Sequence, residues 1–232
     1  MAPDRVVTRA ATLGGMSPPS PRPLAGASRP EILPRAFYDR PVLRVARDLL
    51  GMVLVRDLGR GRRLEGRIVE VEAYDGARDR ASHAFRGRTP RTEAMFGEPG
   101  RAYVYFIYGM HWCLNAVTGP EGRAAAVLIR ALAPTMGEAW MDPGRSTAGR
   151  IASGPGRLTR ALRIDRALHS ADLCSPGPLY LVRGESVAPR RIVRGERIGV
   201  EYAGAWARKP WRFGVRGDPA LSRPFLVAPG KR

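Results

Sequence analysis

Apolar positions along this chain follow two rhythms. In PVLRVARDLLG at 41–51, Val42, Val45, Ala46, Leu49 and Leu50 recur at helical spacing, with Pro41 opening the helix and Gly51 placed to end it. SGPGRLTRALRI at 153–164 predicts a turn leading into a second helix, with Leu158, Ala161 and Leu162 facing inward. Elsewhere the pattern is that of strands rich in Val, Ile and Tyr. Five are predicted in the first half, at 52–58, 67–74, 103–108, 112–117 and 125–132, and three short ones follow as LYLV at 179–182, RIGVEY at 197–202 and RFGV at 212–215. Strands gathered in the middle with helices at the flanks predict an α+β domain on a mostly antiparallel sheet.

Two stretches break these rhythms. Residues 17–34 hold six of the 21 prolines and little apolar mass, so residues 1–30 read as a disordered arm, followed by a folded domain at 31–220 and a C-terminal tail at 221–232. The segment 76–100, GARDRASHAFRGRTPRTEAMFGEPG, shows no period and much Gly and Arg. Long aperiodic loops inside a compact domain are usually functional.

Charge then narrows the partner. Lys and Arg number 39 against 21 acidic residues, a net charge of +18 that calls for a polyanion, nucleic acid before an anionic membrane. Every basic residue except Lys209 and Lys231 is arginine, as a codon bias would give, but bias does not account for the excess over Asp and Glu. Two cysteines, Cys113 and Cys174, are too few for a secreted disulfide scaffold. With no membrane-length apolar run and no signal-peptide core in the first residues, a cytoplasmic enzyme is expected, nucleoid-associated if bacterial. No membrane partner is expected, and a monomer is. The spacings among His83, His111, His169, Cys113 and Cys174 match no metal-ligand pair, and no dinucleotide or P-loop motif occurs, so neither metal nor cofactor is expected. GPGR at 154–157 could present backbone donors to a phosphate.

Candidate chemistry concentrates in two strands. In RIVEVEAY, period two puts Ile68, Glu70 and Glu72 on one face and Val69 and Val71 on the other, with Tyr74 following on the glutamate face. The strand alone favours a solvent-facing Glu72 on a sheet edge. A carboxylate beside a stacking ring is nevertheless what a nucleobase hydrolase needs. In YVYFIYG, Tyr103 and Tyr105 share a face while Tyr108 stands at a hairpin tip, where no core lies beneath it. Aromatic wedges on protruding elements unstack and replace extruded bases. The placement also constrains the turn. If Tyr105 and Asn115 reach one pocket and Tyr108 projects away, the connection around Gly109–His111 must be odd-numbered or bulged, because a two-residue loop sets Tyr105 opposite Leu114.

Residues 70–117, EVEAYDGARDRASHAFRGRTPRTEAMFGEPGRAYVYFIYGMHWCLNAV, closely resemble the alkyladenine (3-methyladenine, methylpurine) DNA glycosylase family, with RALAP at 130–134, SGPGRL at 153–158 and RIGVEYAGAWARKPWRFGV at 197–215 extending the likeness over roughly 33–218. The resemblance implies a single mixed domain with a curved sheet and a hairpin that intercalates in DNA. It further implies excision of 3-methyladenine, 7-methylguanine and hypoxanthine from double-stranded DNA by a water that a glutamate activates. Glu72 corresponds to the family's general base, and Arg130 to the arginine that helps hold the water. Tyr74, His83 and Tyr105 correspond to the residues that sandwich the flipped base, Asn115 to a pocket amide that rejects guanine's exocyclic amine, and Tyr108 to the intercalating residue. Val200 corresponds to a position whose carbonyl meets the same water. Neither Lys209, in ARKPWR, nor Lys231, in the terminal tail, is near the pocket motif, so no amine for Schiff-base lyase chemistry is expected. The alternative is a non-catalytic damaged-DNA-binding module of the same fold, against which the intact Glu72 and Arg130 argue.

Overall fold

The structure, a computed structural model, describes residues 30–141 and 150–225. The expected N-terminal arm lies outside them but for Pro30. Two helices come first, α1 (Arg35–Tyr38) and α2 (Val42–Asp48), the second capped by Pro41. Its predicted inward residues, together with Leu49 and Leu50, are all buried. The strands follow as β1 (Val53–Asp57), β2 (Arg63–Tyr74), β3 (Ala102–Ile107), β4 (His111–Thr118) and β5 (Ala125–Met136). Helices α3 (Glu138–Met141) and α4 (Pro155–Ala161) then precede β6 (Leu179–Val182), β7 (Ile192–Gly195) and β8 (Arg212–Val215). On α4, Leu158 and Ala161 point inward as predicted, and so does Leu162 just beyond it.

All strand pairings are antiparallel, in the order β3-β4-β5-β2-β1-β6, with β8 joining β2 and β7. This is the predicted α+β architecture in one domain. α2 and α4 supply the apolar side chains that, with Leu54, Leu64, Ile68 and Leu132, form the main core. Burying apolar area at about 25 cal/mol per Å² is the main driving force for closing such a layer.

Three expectations are corrected. RIGVEY at 197–202 is not a strand: Arg197 turns into the interior, Gly199 takes φ +78°, and a 3-10 turn runs Glu201–Trp206. The strand in that region is instead β7, whose short charged sequence IVRG hides its periodicity. Second, Ile68 does not share a face with the two glutamates. The pairing of β2 with β5 slips between Ile68 and Val71, so Ile68 packs in the core with Val71 and Ala73 while Glu70 and Glu72 turn away. A bulge of this kind exchanges the two faces of a strand midway along it. Third, Glu72 is not on an edge: β2 pairs with β1, β5 and β8, and Glu72 is fully buried. The aperiodic segment 76–100 is folded into 3-10 turns at Gly76–Arg78, His83–Arg86 and Glu93–Phe96, the second capped by the Ser82 hydroxyl. Residues 221–225, the start of the expected tail, are fastened to the domain by hydrogen bonds of Leu221, Ser222, Arg223 and Pro224.

Candidate active site

One cross-strand row lays out the site. Reading across the sheet, Arg212 on β8 lies opposite Glu72 on β2, Glu72 opposite Leu128 on β5, Leu128 opposite Asn115 on β4, and Asn115 opposite Tyr103 on β3. Residues directly opposite in a ladder present their side chains to the same face. Tyr74, Arg130, Cys113 and Tyr105 stand two positions along from members of this row and so share that face. A pocket of about 480 Å³ opens over it, lined by Tyr74, His83, Tyr105, Asn115, Arg130 and Val200 among others.

Buried charges sit at its base. Glu72 accepts the Tyr74 hydroxyl at Oε2 (2.8 Å) and the Ile198 backbone N–H at Oε1 (2.8 Å), and Arg130 Nη1 lies 3.2 Å from Oε1. A carboxylate offers about four acceptor positions. Two hydrogen bonds and the Arg130 ion pair occupy Glu72, two of the three contacts falling on Oε1, so Oε2 keeps acceptor capacity. Burial pushes the Tyr74 phenol well above its ordinary pKa, reinforced by Glu72, so Tyr74 keeps its proton and donates. Behind Glu72 lies Glu70, also fully buried, which receives Arg130 Nε (3.0 Å), Arg212 Nη1 (3.2 Å), and both the N–H (2.6 Å) and the hydroxyl (2.8 Å) of Ser222. Two carboxylates thus face two guanidinium groups out of water. Burial works against the charge on Arg130, but Glu72 and Glu70 outweigh it and raise its pKa.

The walls are aromatic. The His83 and Tyr105 rings meet edge to face with centroids 4.5 Å apart, and His83 Nδ1 is 3.0 Å from the Tyr103 hydroxyl. Burial, aided by Arg91, lowers the His83 pKa to about 4, so the imidazole is neutral near pH 7. Tyr74 is backed by Arg197, whose guanidinium lies 4.8 Å from the Tyr74 ring centroid and 5.1 Å from that of Trp211. Arg197 is itself held by Asp79 and by the carbonyls of Ala73 and Trp206. Asn115 donates from Nδ2 to the Tyr103 carbonyl (3.0 Å), which fixes its amide in the pocket wall. The Val200 carbonyl accepts the Ala203 N–H at 2.9 Å. Gly156 of the GPGR turn approaches His111 so closely that a Cβ would fall 2.8 Å from the ring, closing the rim of the pocket.

The hairpin satisfies the parity condition. Tyr105 lies opposite Cys113 and Ile107 opposite His111, leaving a three-residue connection, Tyr108–Met110. Tyr108 is 74% exposed with φ +53°, a left-handed conformation uncommon for an aromatic residue. It stands at the tip yet also lines the mouth of the pocket, where a Cβ on Gly199 would lie 3.7 Å from its hydroxyl. Lys209 sits over Trp206, 3.6 Å from the ring centroid, and is not among the lining residues. Among the described residues no three His, Cys, Asp or Glu side chains gather as a metal site requires.

The structure therefore brings Arg130, Tyr74, His83, Tyr105 and Asn115 into the lining of one pocket, with Tyr108 at its mouth and Glu72 buried against Tyr74 and Arg130 rather than in the lining itself. Sequence reasoning missed Arg212, Ser222, Asp79, Arg197 and the Ile198 N–H, and left Glu70 without a role. The available signal was the pair Glu70 and Glu72 at alternate positions of an apolar strand, which demands buried cations. Fold and pocket together define a class: one domain whose aromatic pocket reaches an arginine paired with a buried carboxylate, with an aromatic-tipped hairpin at its rim. The chain belongs to the Methylpurine-DNA glycosylase (MPG) family, whose sequence pattern it matches over residues 36–219. It is 54% identical over 195 residues, 83% of this chain and 96% of the relative, to a protein of Methanocella arvoryzae named "Putative 3-methyladenine DNA glycosylase". A Streptomyces avermitilis protein of the same name is 50% identical over 86% of this chain and 95% of its own length. The DNA-3-methyladenine glycosylase of Mus musculus is 43% identical over 88% of this chain and 63% of the mouse protein.

Proposed function

We propose that this protein is a monofunctional DNA glycosylase that flips alkylated or deaminated purines out of duplex DNA and hydrolyses their N-glycosidic bond. The observation that carries the reading is Glu72, fully buried against Tyr74 and Arg130 of the pocket lining, with acceptor capacity left on Oε2. Cleavage of a purine glycosidic bond passes through an oxocarbenium-like state. In this mechanism Glu72 stabilises the positive sugar and takes a proton from the attacking water, while Arg130 fixes the carboxylate. Alkylation at N3 or N7 makes the base a cationic leaving group, so the pocket needs to supply less catalysis to a damaged purine than to a normal one. Tyr74 stacks on one face of the base, and the neutral His83 with Tyr105 on the other, without repelling a cation. Base–aromatic stacking contributes about 1–3 kcal/mol per base. Tyr108 fills the gap left in the helix.

The absence of lyase chemistry rests on Lys209, the only lysine among the described residues, which lies over Trp206 and away from the pocket. The test is release of free base from duplexes carrying 3-methyladenine, 7-methylguanine, hypoxanthine or ethenoadenine. Free base should appear with the strand intact until alkali is added. Strand cleavage without alkali, or release of undamaged purines as fast as damaged ones, would overturn the proposal.

A further inference from the structure

The segment that follows the family match makes the most consequential contacts of any residues outside the pocket. Ser222 lies three residues past the matched span of 36–219, in the stretch expected to be tail. It gives Glu70 two of its four hydrogen bonds, and Arg130 Nη2 donates to its hydroxyl at 3.4 Å. The segment is anchored on both sides. The Ser153 hydroxyl donates to the Leu221 carbonyl (2.9 Å), Arg212 donates to the carbonyls of Arg223 (3.3 Å) and Pro224 (3.1 Å), and the Arg212 guanidinium lies 3.8 Å from the Phe225 ring centroid. Arg223 continues into the lining of the pocket.

We infer that Glu70 and Ser222 are positioning residues for the reaction: together they hold Arg130 by its Nε edge, so that only one of its terminal nitrogens reaches Glu72. The inference rests on the reading of Glu72 as general base. Its physical reason is competition for a guanidinium. Arginine and carboxylate pair most strongly in a bidentate fork. An Arg130 released by Glu70 would turn to grip both oxygens of Glu72 and occupy the acceptor capacity that the water uses. Glu70 prevents this by taking Nε for itself, and it can do so only while its remaining lone pairs are filled by Arg212 and Ser222. A buried carboxylate without those donors is costly and reorganises. The last residues of the domain thereby set the geometry of a proton transfer they do not touch.

The experiment compares the full chain with Ser222→Ala, Ser222→Thr and Glu70→Gln in single-turnover excision from a 3-methyladenine-type duplex. Equilibrium binding to the same duplex and the thermal midpoint are measured alongside, with Glu72→Gln as reference. Ser222→Ala should lower the excision rate constant roughly tenfold, the scale of one hydrogen bond to a charged group. Ser222→Thr, which keeps the hydroxyl, should restore most of it. Glu70→Gln should lose roughly 10²-fold, as misplacement of a reacting group does. Binding of the lesion duplex should stay within about threefold for the two Ser222 variants, separating a catalytic defect from a loss of fold. Wild-type excision by Ser222→Ala, or a Ser222→Thr as slow as Ser222→Ala, overturns the inference. If Glu72→Gln retains turnover, it is the general-base reading that fails. If Glu72→Gln is inactive while Ser222→Ala excises normally, only the positioning role fails.

Discussion

The base of the pocket and the tip of the hairpin are built on opposite principles. At the base, Glu70, Glu72, Arg130 and Arg212 are almost wholly removed from water and held by hydrogen bonds and ion pairs. At the tip, Tyr108 and Met110 stand exposed, and Tyr108 keeps a left-handed backbone with only its hydroxyl end near Gly199. A network of buried charges fixes one geometry because any departure leaves a charge unpaired. An exposed ring has no such constraint and contributes only when DNA closes around it. On the proposed reading the two regions would serve different steps: the base bond cleavage, the tip the equilibrium that brings the purine in.

The largest effect should come from the base. Glu72→Gln preserves shape and removes the proton acceptor, so single-turnover excision should fall by about 10²–10⁴, the range of general-base catalysis. Binding to lesion-bearing duplex should be nearly unchanged. Rapid excision by this variant would break the assignment outright. Tyr108→Ser should cost less, roughly tenfold in both binding and excision on a fully paired lesion, given the free energy of one stacked ring. That deficit should shrink when the lesion sits in a bubble or opposite an abasic site, where unstacking is already paid for. Glu72→Gln should show no such rescue. A Tyr108→Ser defect that persists unchanged in the bubble would place the ring in the chemical step and erase the contrast.

A smaller effect is expected from pH. His83 titrates near 4 when folded, against an ordinary value of about 6.5, so the unfolded chain binds the extra proton between these values and the native state does not. Stability should therefore be complete above about pH 6.5 and fall as pH drops through 4, by at most about 1.4 kcal/mol per pH unit from this group. In His83→Asn that part of the slope should vanish, as read from urea midpoints across the window. An identical slope in the variant would show that His83 is not held neutral by burial. The smallest difference should appear in salt dependence. Log affinity should fall linearly with log salt at about −0.9 per phosphate contact, and Glu72→Gln should leave the slope as it is in the wild type. A changed slope would mean that the buried cluster communicates with the DNA backbone.

Much of this arrangement could be read from the chain, and what escaped has a common cause. The strands at 103–108, 112–117 and 125–132 and both predicted helices carry a periodicity that burial imposes locally, and all were found. RIGVEY misled because Ile198, Val200 and Tyr202 alternate like a strand, while the fate of that segment is decided by Asp79, far away in sequence, drawing Arg197 inward. The pocket residues were identified through the family likeness, and the hairpin parity through period two alone. Glu70, Arg212 and Ser222 stayed hidden because ion pairing across strands leaves no local pattern. With arginine supplying all but two of the 39 basic residues, no local pattern marked Arg197 and Arg212 as buried, and Arg130 stood out only through the family likeness.

The three-residue connection at Tyr108–Met110 has a further consequence, for how the protein can change over time. Packing leaves its composition lightly constrained, most of all at the exposed Met110, although Tyr108 and Gly109 both keep positive φ; its length is held more tightly. Removing one residue while the turn keeps its three-residue form would move Tyr105 opposite Leu114 and send alternate side chains of one strand to the wrong face of the sheet. Substitutions at the tip should therefore accumulate readily among descendants of this chain, while single-residue insertions and deletions are purged. Lineages should explore new wedges without ever altering the stride of the hairpin that carries them.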